Sequence, residues 1–62
     1  MDRETHLQLL SLLGNQELVE KWWHSPNRAF EMQTPDSVWN KNDQGPSTVR
    51  KYISQFLYGD YF

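Results

Sequence analysis

The sequence predicts an all-α fold: a small bundle of three main helices and one short one. Val49, Tyr52, Ile53, Phe56 and Leu57 follow the i, i+3, i+4, i+7, i+8 spacing of an amphipathic helix without a break. Glycines and prolines fall at helix-length intervals, at Gly14, Pro26, Pro35, Gly45-Pro46 and Gly59, where they stop one helix or open the next. No segment shows the apolar–polar alternation of a half-buried strand.

Residues 3–13 are the first predicted helix. Leu9, Leu10, Leu12 and Leu13 fall on one side at ~100° per residue, and Glu4, Gln8 and Ser11 fall on the other. Gly14 ends it, because glycine takes the left-handed C-terminal position without steric penalty. His6 lies on the leucine side, which predicts a partly buried histidine at the edge of a helix contact rather than a ligand.

Asn15 is a good N-cap for the second helix, and Glu17 sits in its first turn, where negative charge suits the helix dipole. Leu18, Val19, Trp22 and Trp23 share its apolar face. Adjacent tryptophans cannot point the same way, so one fills the core and the other lies at its rim with its indole N–H reaching a partner. Trp22 and Phe56 are the expected core rings, and truncating either to alanine is expected to cost about 3–5 kcal/mol. Ser25-Pro26 ends the helix, since the residue before proline is pushed out of the α region.

The stretch from Lys21 to Pro35 holds two tryptophans, Phe30, Met32 and two prolines. Its apolar side chains cannot all face water without leaving a substantial patch, so it covers a core, forms a binding surface, or does some of both. Residues 28–33 read as a compact connection with Phe30 as its anchor. Thr34-Pro35-Asp36 then supplies an N-cap hydroxyl, a first-turn proline and a first-turn carboxylate. This third helix is short, contributes Val38 and Trp39, and fails in the turn formers of residues 40–45. Pro46-Ser47 opens the last helix, whose polar face is Arg50, Lys51, Ser54, Gln55 and Tyr58. Gly59 terminates it ahead of Asp60-Tyr61-Phe62.

Sixty-two residues form one domain, and chains of this size bury only ~60% of their unfolded surface. Aromatic residues make up 15% of the chain and are the expected stabiliser. The absence of cysteine removes disulfides and thiolate metal sites. Six basic against eight acidic residues give a net charge of −2, a poor match to phosphate, so direct nucleic-acid binding is not expected. No apolar run approaches the ~20 residues that cross a bilayer, and the opening residues lack signal-peptide order. A cytoplasmic protein is expected.

Nothing reads as catalytic, and no cofactor or metal is expected. There is no glycine-rich phosphate loop, no His-Glu-x-x-His motif and no carboxylate placed to join His6 and His24 at zinc. A chain this short is also expected to lack a pocket of ~300 Å³. The unusual feature is the aromatic terminus. Tyr58, Tyr61 and Phe62 either fold back over the small core or stand as an anchor for another protein, since aromatic residues dominate interface hot spots.

Leu13-Gly14-Asn15, Glu17-Leu18, Trp22, Pro26-Asn27, Ala29-Phe30, Thr34-Pro35, Gly45 and Tyr58-Gly59 occur in that order. Over roughly residues 12–60 the set resembles the toxin-binding domain of the Xre/MbcA/ParS antitoxins. In that family a tryptophan helix runs into a Pro-Asn-x-Ala-Leu-type connection, then Thr-Pro, a glycine and a last helix ending in Tyr-Gly. The family often carries a Gly-Gly pair just before Thr-Pro. Here Glu31-Met32 stands in its place, so the connection is expected to take another path, and Arg28 replaces a common proline. About a dozen residues precede the match, so the helix-turn-helix domain usual in relatives is not expected in this chain.

The resemblance implies a module that binds a RES-domain toxin, an NAD-consuming enzyme, and blocks its active-site entrance. Its implied contact residues are Arg50, Ser54, Gln55, Tyr58, Gly59, Asp60, Tyr61 and Phe62, with Asp60 or the chain carboxylate able to pair with cationic groups that would otherwise hold a pyrophosphate. Two alternatives stay open: a small helical interaction or homo-oligomerisation module, and a fragment of a transcriptional regulator.

Overall fold

The computed structural model describes the backbone of residues 1–57 and the side chains of residues 1–55. Its architecture is all-α, as the periodicity predicts. Helix α1 spans Arg3–Leu13, α2 spans Gln16–Trp23, α3 spans Pro35–Lys41 and α4 spans Gly45–Tyr52. A single 3-10 turn, Arg28–Phe30, links α2 to α3, and a π-helical turn, Ile53–Leu57, follows α4.

The helix starts are fixed by local hydrogen bonds. Asp2, Asn15 and Thr34 each accept the backbone N–H three residues on, from Thr5 at 2.9 Å, Leu18 at 2.9 Å and Ser37 at 3.0 Å. Each such cap satisfies one of the donors a helix start leaves unpaired. Between α1 and α2, Gly14 takes φ 99° and its N–H bonds Leu10 O, so two residues are enough to reverse the chain.

Leu9, Val19, Trp23, Phe30, Val49 and Ile53 form the buried core, and Leu10, Leu12, Leu13, Trp22, Val38, Trp39 and Tyr52 pack around it half-buried. The tryptophan assignment is therefore reversed from the sequence expectation. Trp23 is the core ring, 4% exposed, and its indole N–H donates to Asp36 Oδ1 at 3.0 Å. Trp22 is the rim ring. Leu18 leaves the core face altogether at 44% exposure, since four large side chains span more of the helix than one small core can cover. The expectation for Phe56 falls on a side chain outside those described.

One further expectation changes, and the connection after Phe30 takes a form the sequence did not announce: Glu31 and Met32 both adopt left-handed conformations, φ 56° and 68°. The loop closes on Asn27, whose N–H donates to Gln33 O at 3.0 Å and whose C=O accepts from Met32 N at 2.9 Å. Those bonds leave the two intervening residues little choice of hand. The last helix also changes geometry where the sequence predicts one uninterrupted α-helix: it is α-helical to Tyr52 and then widens.

Gly45 positions α4. A Cβ built there would stand 2.2 Å from Val38 O and 2.5 Å from Trp39 O, so the end of α3 packs directly on the α4 backbone. No other residue type leaves that space.

Candidate functional site

The residues that the sequence assigns to partner contact divide into two groups. Arg50, Ser54 and Gln55 belong to α4 and the turn beyond it, whereas Tyr58, Gly59, Asp60, Tyr61 and Phe62 lie outside the described residues. Ser54 is half-buried and Gln55 exposed, both within the π-helical turn. Such turns replace i→i+4 bonding by i→i+5 and recur at functional sites.

Arg50 does not stand on a purely solvated edge. Its guanidinium forms an ion pair with Asp2, and its Nε lies 3.4 Å from Thr5 Oγ1. Its Cζ also stands 5.1 Å from the centre of the Trp39 ring. With both charges substantially exposed, the ion pair alone contributes little; the combination with a ring face and a cap gives the contact its geometry. Thr5 holds the Asp2 carboxyl down to about 2, first through its side chain and then through its backbone N–H, and Arg50 adds to this. Hydrogen bonds to the charged form favour ionisation.

The rings form a continuous chain across the bundle. Phe30 meets Tyr52 at 5.1 Å, Tyr52 stacks on Trp22 at 6.3 Å with planes 19° apart, Trp22 meets Trp23 at 6.3 Å, and Trp23 meets Trp39 edge-on at 5.5 Å. Trp22 and Tyr52 bring this chain toward the surface between α2 and α4. The expected partner for the rim indole is absent: Trp22 N–H has no acceptor within the described residues, and no buried side-chain polar atom there is left unpaired, so this donor faces solvent.

His6 is half-buried and bonds Gln16, at the edge of the α1–α2 contact where the spacing put it. His24 lies 3.4 Å from Glu20 and 3.8 Å from Asp36. Among the described residues no group of three His, Cys, Asp or Glu is arranged to hold a metal ion. Two open clefts, of about 320 and 310 Å³, exceed the pocket volume expected for so short a chain. The first passes Phe30, Val38, Lys41 and Thr48, and the second passes Asp2, His6, Glu20 and His24. Both are open to solvent rather than enclosed.

Comparison with protein-family models, with curated proteins and with solved structures finds no match to this chain. No helix among the described residues is long and apolar enough to cross a membrane.

Sequence reasoning missed the Asp2–Arg50 contact and the choice of Trp23 as the core ring. The spacing of Asp2 and Thr5 could have marked the cap. Nothing local could have linked Asp2 to a residue 48 positions away.

Proposed function

We propose that this chain is an antitoxin-like inhibitor module that acts in the cytoplasm and occludes the active-site entrance of a RES-type, NAD-consuming toxin. The observation that carries the reading is the change of helical geometry at Ile53–Leu57, immediately ahead of Tyr58, Gly59, Asp60, Tyr61 and Phe62. Regular α-helix is abandoned where the resemblance puts the contact surface, and π-type turns concentrate at functional sites. Two further features accompany it. Six buried apolar residues among the described ones form one cluster. The left-handed pair Glu31–Met32 also stands in a backbone region that glycine enters without penalty, at the place where the resemblance puts a Gly-Gly pair.

Inhibition on this reading is steric. The protein performs no reaction and uses no cofactor. Aromatic side chains displace water from the toxin's cleft, and Asp60 pairs with cationic groups that otherwise bind pyrophosphate. Ser54 and Gln55 line the approach, while Arg50 holds the helix in place through Asp2 and Trp39.

Co-expression with a RES-domain toxin tests the reading. The full chain is expected to restore growth, and a chain lacking Gly59 to Phe62 is expected to keep its helical circular dichroism and lose protection. Full protection by the shortened chain overturns the terminal mechanism, and no protection by the full chain overturns the antitoxin reading itself.

A further inference from the structure

Two carboxylates at the joint of α2 and α3 are each held through one oxygen and turn the other to the same imidazole. Glu20 accepts the Gln16 side-chain amide on Oε1 at 2.8 Å, and its Oε2 stands 3.4 Å from His24 Nε2. Asp36, in the first turn of α3, accepts the Trp23 indole N–H and the Asn40 side-chain amide on Oδ1, both at 3.0 Å. Its Oδ2 stands 3.8 Å from His24 Nδ1. His24 therefore has an acceptor opposite each ring nitrogen, one from its own helix and one from the next.

An ionised carboxylate only accepts, and a neutral imidazole carries one N–H. With a single proton the ring serves one carboxylate and turns a lone pair to the other; with two protons it donates to both. Gln16, Trp23 and Asn40 keep the two carboxylates oriented, so the arrangement matches the imidazolium rather than the neutral ring. The other charged groups of this cleft are the Met1 amine, Asp2, Arg3 and His6. Asp2 is paired with Arg50, and His6 bonds Gln16. Among the described residues neither the amine, Arg3 nor Lys21 comes within ion-pair distance of Glu20 or Asp36, whose ion-pair partner is His24 alone. His24 caps the end of α2 and Asp36 lies in the first turn of α3, so their contact closes the base of the connection over residues 25–35.

We infer that His24 is a proton-operated clasp between α2 and α3, closing the base of the 25–35 connection when its imidazole is charged and releasing it when the ring is neutral. Histidine side chains change charge between about pH 8 and 5, so the clasp is closed in mild acid and open above neutrality. The link to Glu20 stays within one helix; the link to Asp36 is the one that joins two elements, and it is the longer of the two. A ring with one proton gives it to the nearer Glu20 and leaves Asp36 facing a lone pair. The three side chains are 41–58% exposed, so the clasp governs the opening of one connection and adds little to global stability. The connection it closes carries the left-handed pair Glu31–Met32, with Met32 62% exposed. The clasp stands independently of the reading of the chain as an inhibitor.

Amide hydrogen exchange of the full chain, followed by NMR across this pH range and corrected for intrinsic rates, tests the inference. The amides that tie the connection together are those of Asn27, Met32 and Gln33, bonded to Gln33 O, Asn27 O and Phe30 O. Their protection is expected to rise about two- to fivefold on acidification, the span that an exposed ion pair supports. The Trp23 indole N–H resonance, reporting on Asp36, is expected to move with the same midpoint as the His24 ring protons. His24→Gln, altered at an exposed position, is expected to keep its helical dichroism and hold this protection constant over the range. His6→Gln is expected to retain the rise. The inference is overturned if protection stays level or falls in acid, if His24→Gln keeps the rise, or if His6→Gln removes it. It is equally overturned if the amides of α1 gain as much protection, because global stability and not the clasp is then what titrates.

Discussion

At the scale of single residues, the two adjacent tryptophans have different work. Trp23 is 4% exposed and hydrogen-bonded to Asp36, so Trp23→Ala removes a core ring and strands part of its surroundings. We expect a loss of about 3–5 kcal/mol, a large fraction of the stability of any domain. Trp22→Ala, at the rim, is expected to cost distinctly less. Urea denaturation of the two variants checks this, and equal midpoints would contradict it. Glu31 and Met32 make the opposite case, since each holds a left-handed backbone that costs an L-residue roughly 1–2 kcal/mol. Met32 is also 62% exposed and loses little packing when shortened. Met32→Gly is therefore expected to raise the melting temperature by several degrees, the gain offset in part by glycine's greater freedom when unfolded. An unchanged or lower melting temperature would show that Met32 contributes more than its exposure suggests.

At the scale of elements, the join between α3 and α4 depends on one missing side chain. With the end of α3 packed on Gly45 at 2.2 Å from an added Cβ, Gly45→Ala forces backbone to move against backbone. We expect it to destabilise by about 1–3 kcal/mol although alanine is the better helix former. Thermal melts decide the sign, and a more stable variant would mean that the two helices can separate freely. The periodicity made α1 legible over residues 3–13 and the start of α2 legible at Asn15, because Gly14 and Asn15 are clear end signals. The α4 boundary was not legible. Its apolar stripe runs through Tyr52 into Ile53, Phe56 and Leu57 as if the helix were uniform, and a π-turn inserts no sequence mark of its own.

At the scale of the whole molecule, Arg50 and Asp2 join the two ends of the described chain across 48 positions. Asp2 has its carboxyl lowered from 3.8 to about 2, so its contribution to stability is present above its ordinary value. That contribution fades as pH falls from there through the folded value, where the carboxylate gains its proton and loses Thr5 and Arg50. Asp2→Asn is expected to flatten this part of the acid-stability curve. Following the melting temperature of both forms between neutral pH and the acid limb checks it, and identical slopes would mean that the cap and the ion pair contribute nothing. The shortened chain lacking Gly59 to Phe62 is expected to keep a cooperative melt, because six buried residues among those described already form one cluster. Loss of cooperativity would move the terminal aromatics from partner contact to core.

Spacing and end signals alone determined that the chain is helical, where most helices begin and that Phe30 anchors the connection, since these follow from local sterics and from which side chains recur on one flank. Of the candidate site, Tyr58, Tyr61 and Phe62 stood out in the sequence itself as an aromatic terminus, whereas Arg50, Ser54 and Gln55 were assigned to partner contact only by family resemblance. Tertiary structure alone decided that Trp23 rather than Trp22 enters the core, that Arg50 closes onto Asp2 and that Leu18 and Trp22 remain at the surface. Each of these depends on which neighbours are already in place when a side chain arrives. A helical repeat specifies a face, but only the packed partners set how wide that face is.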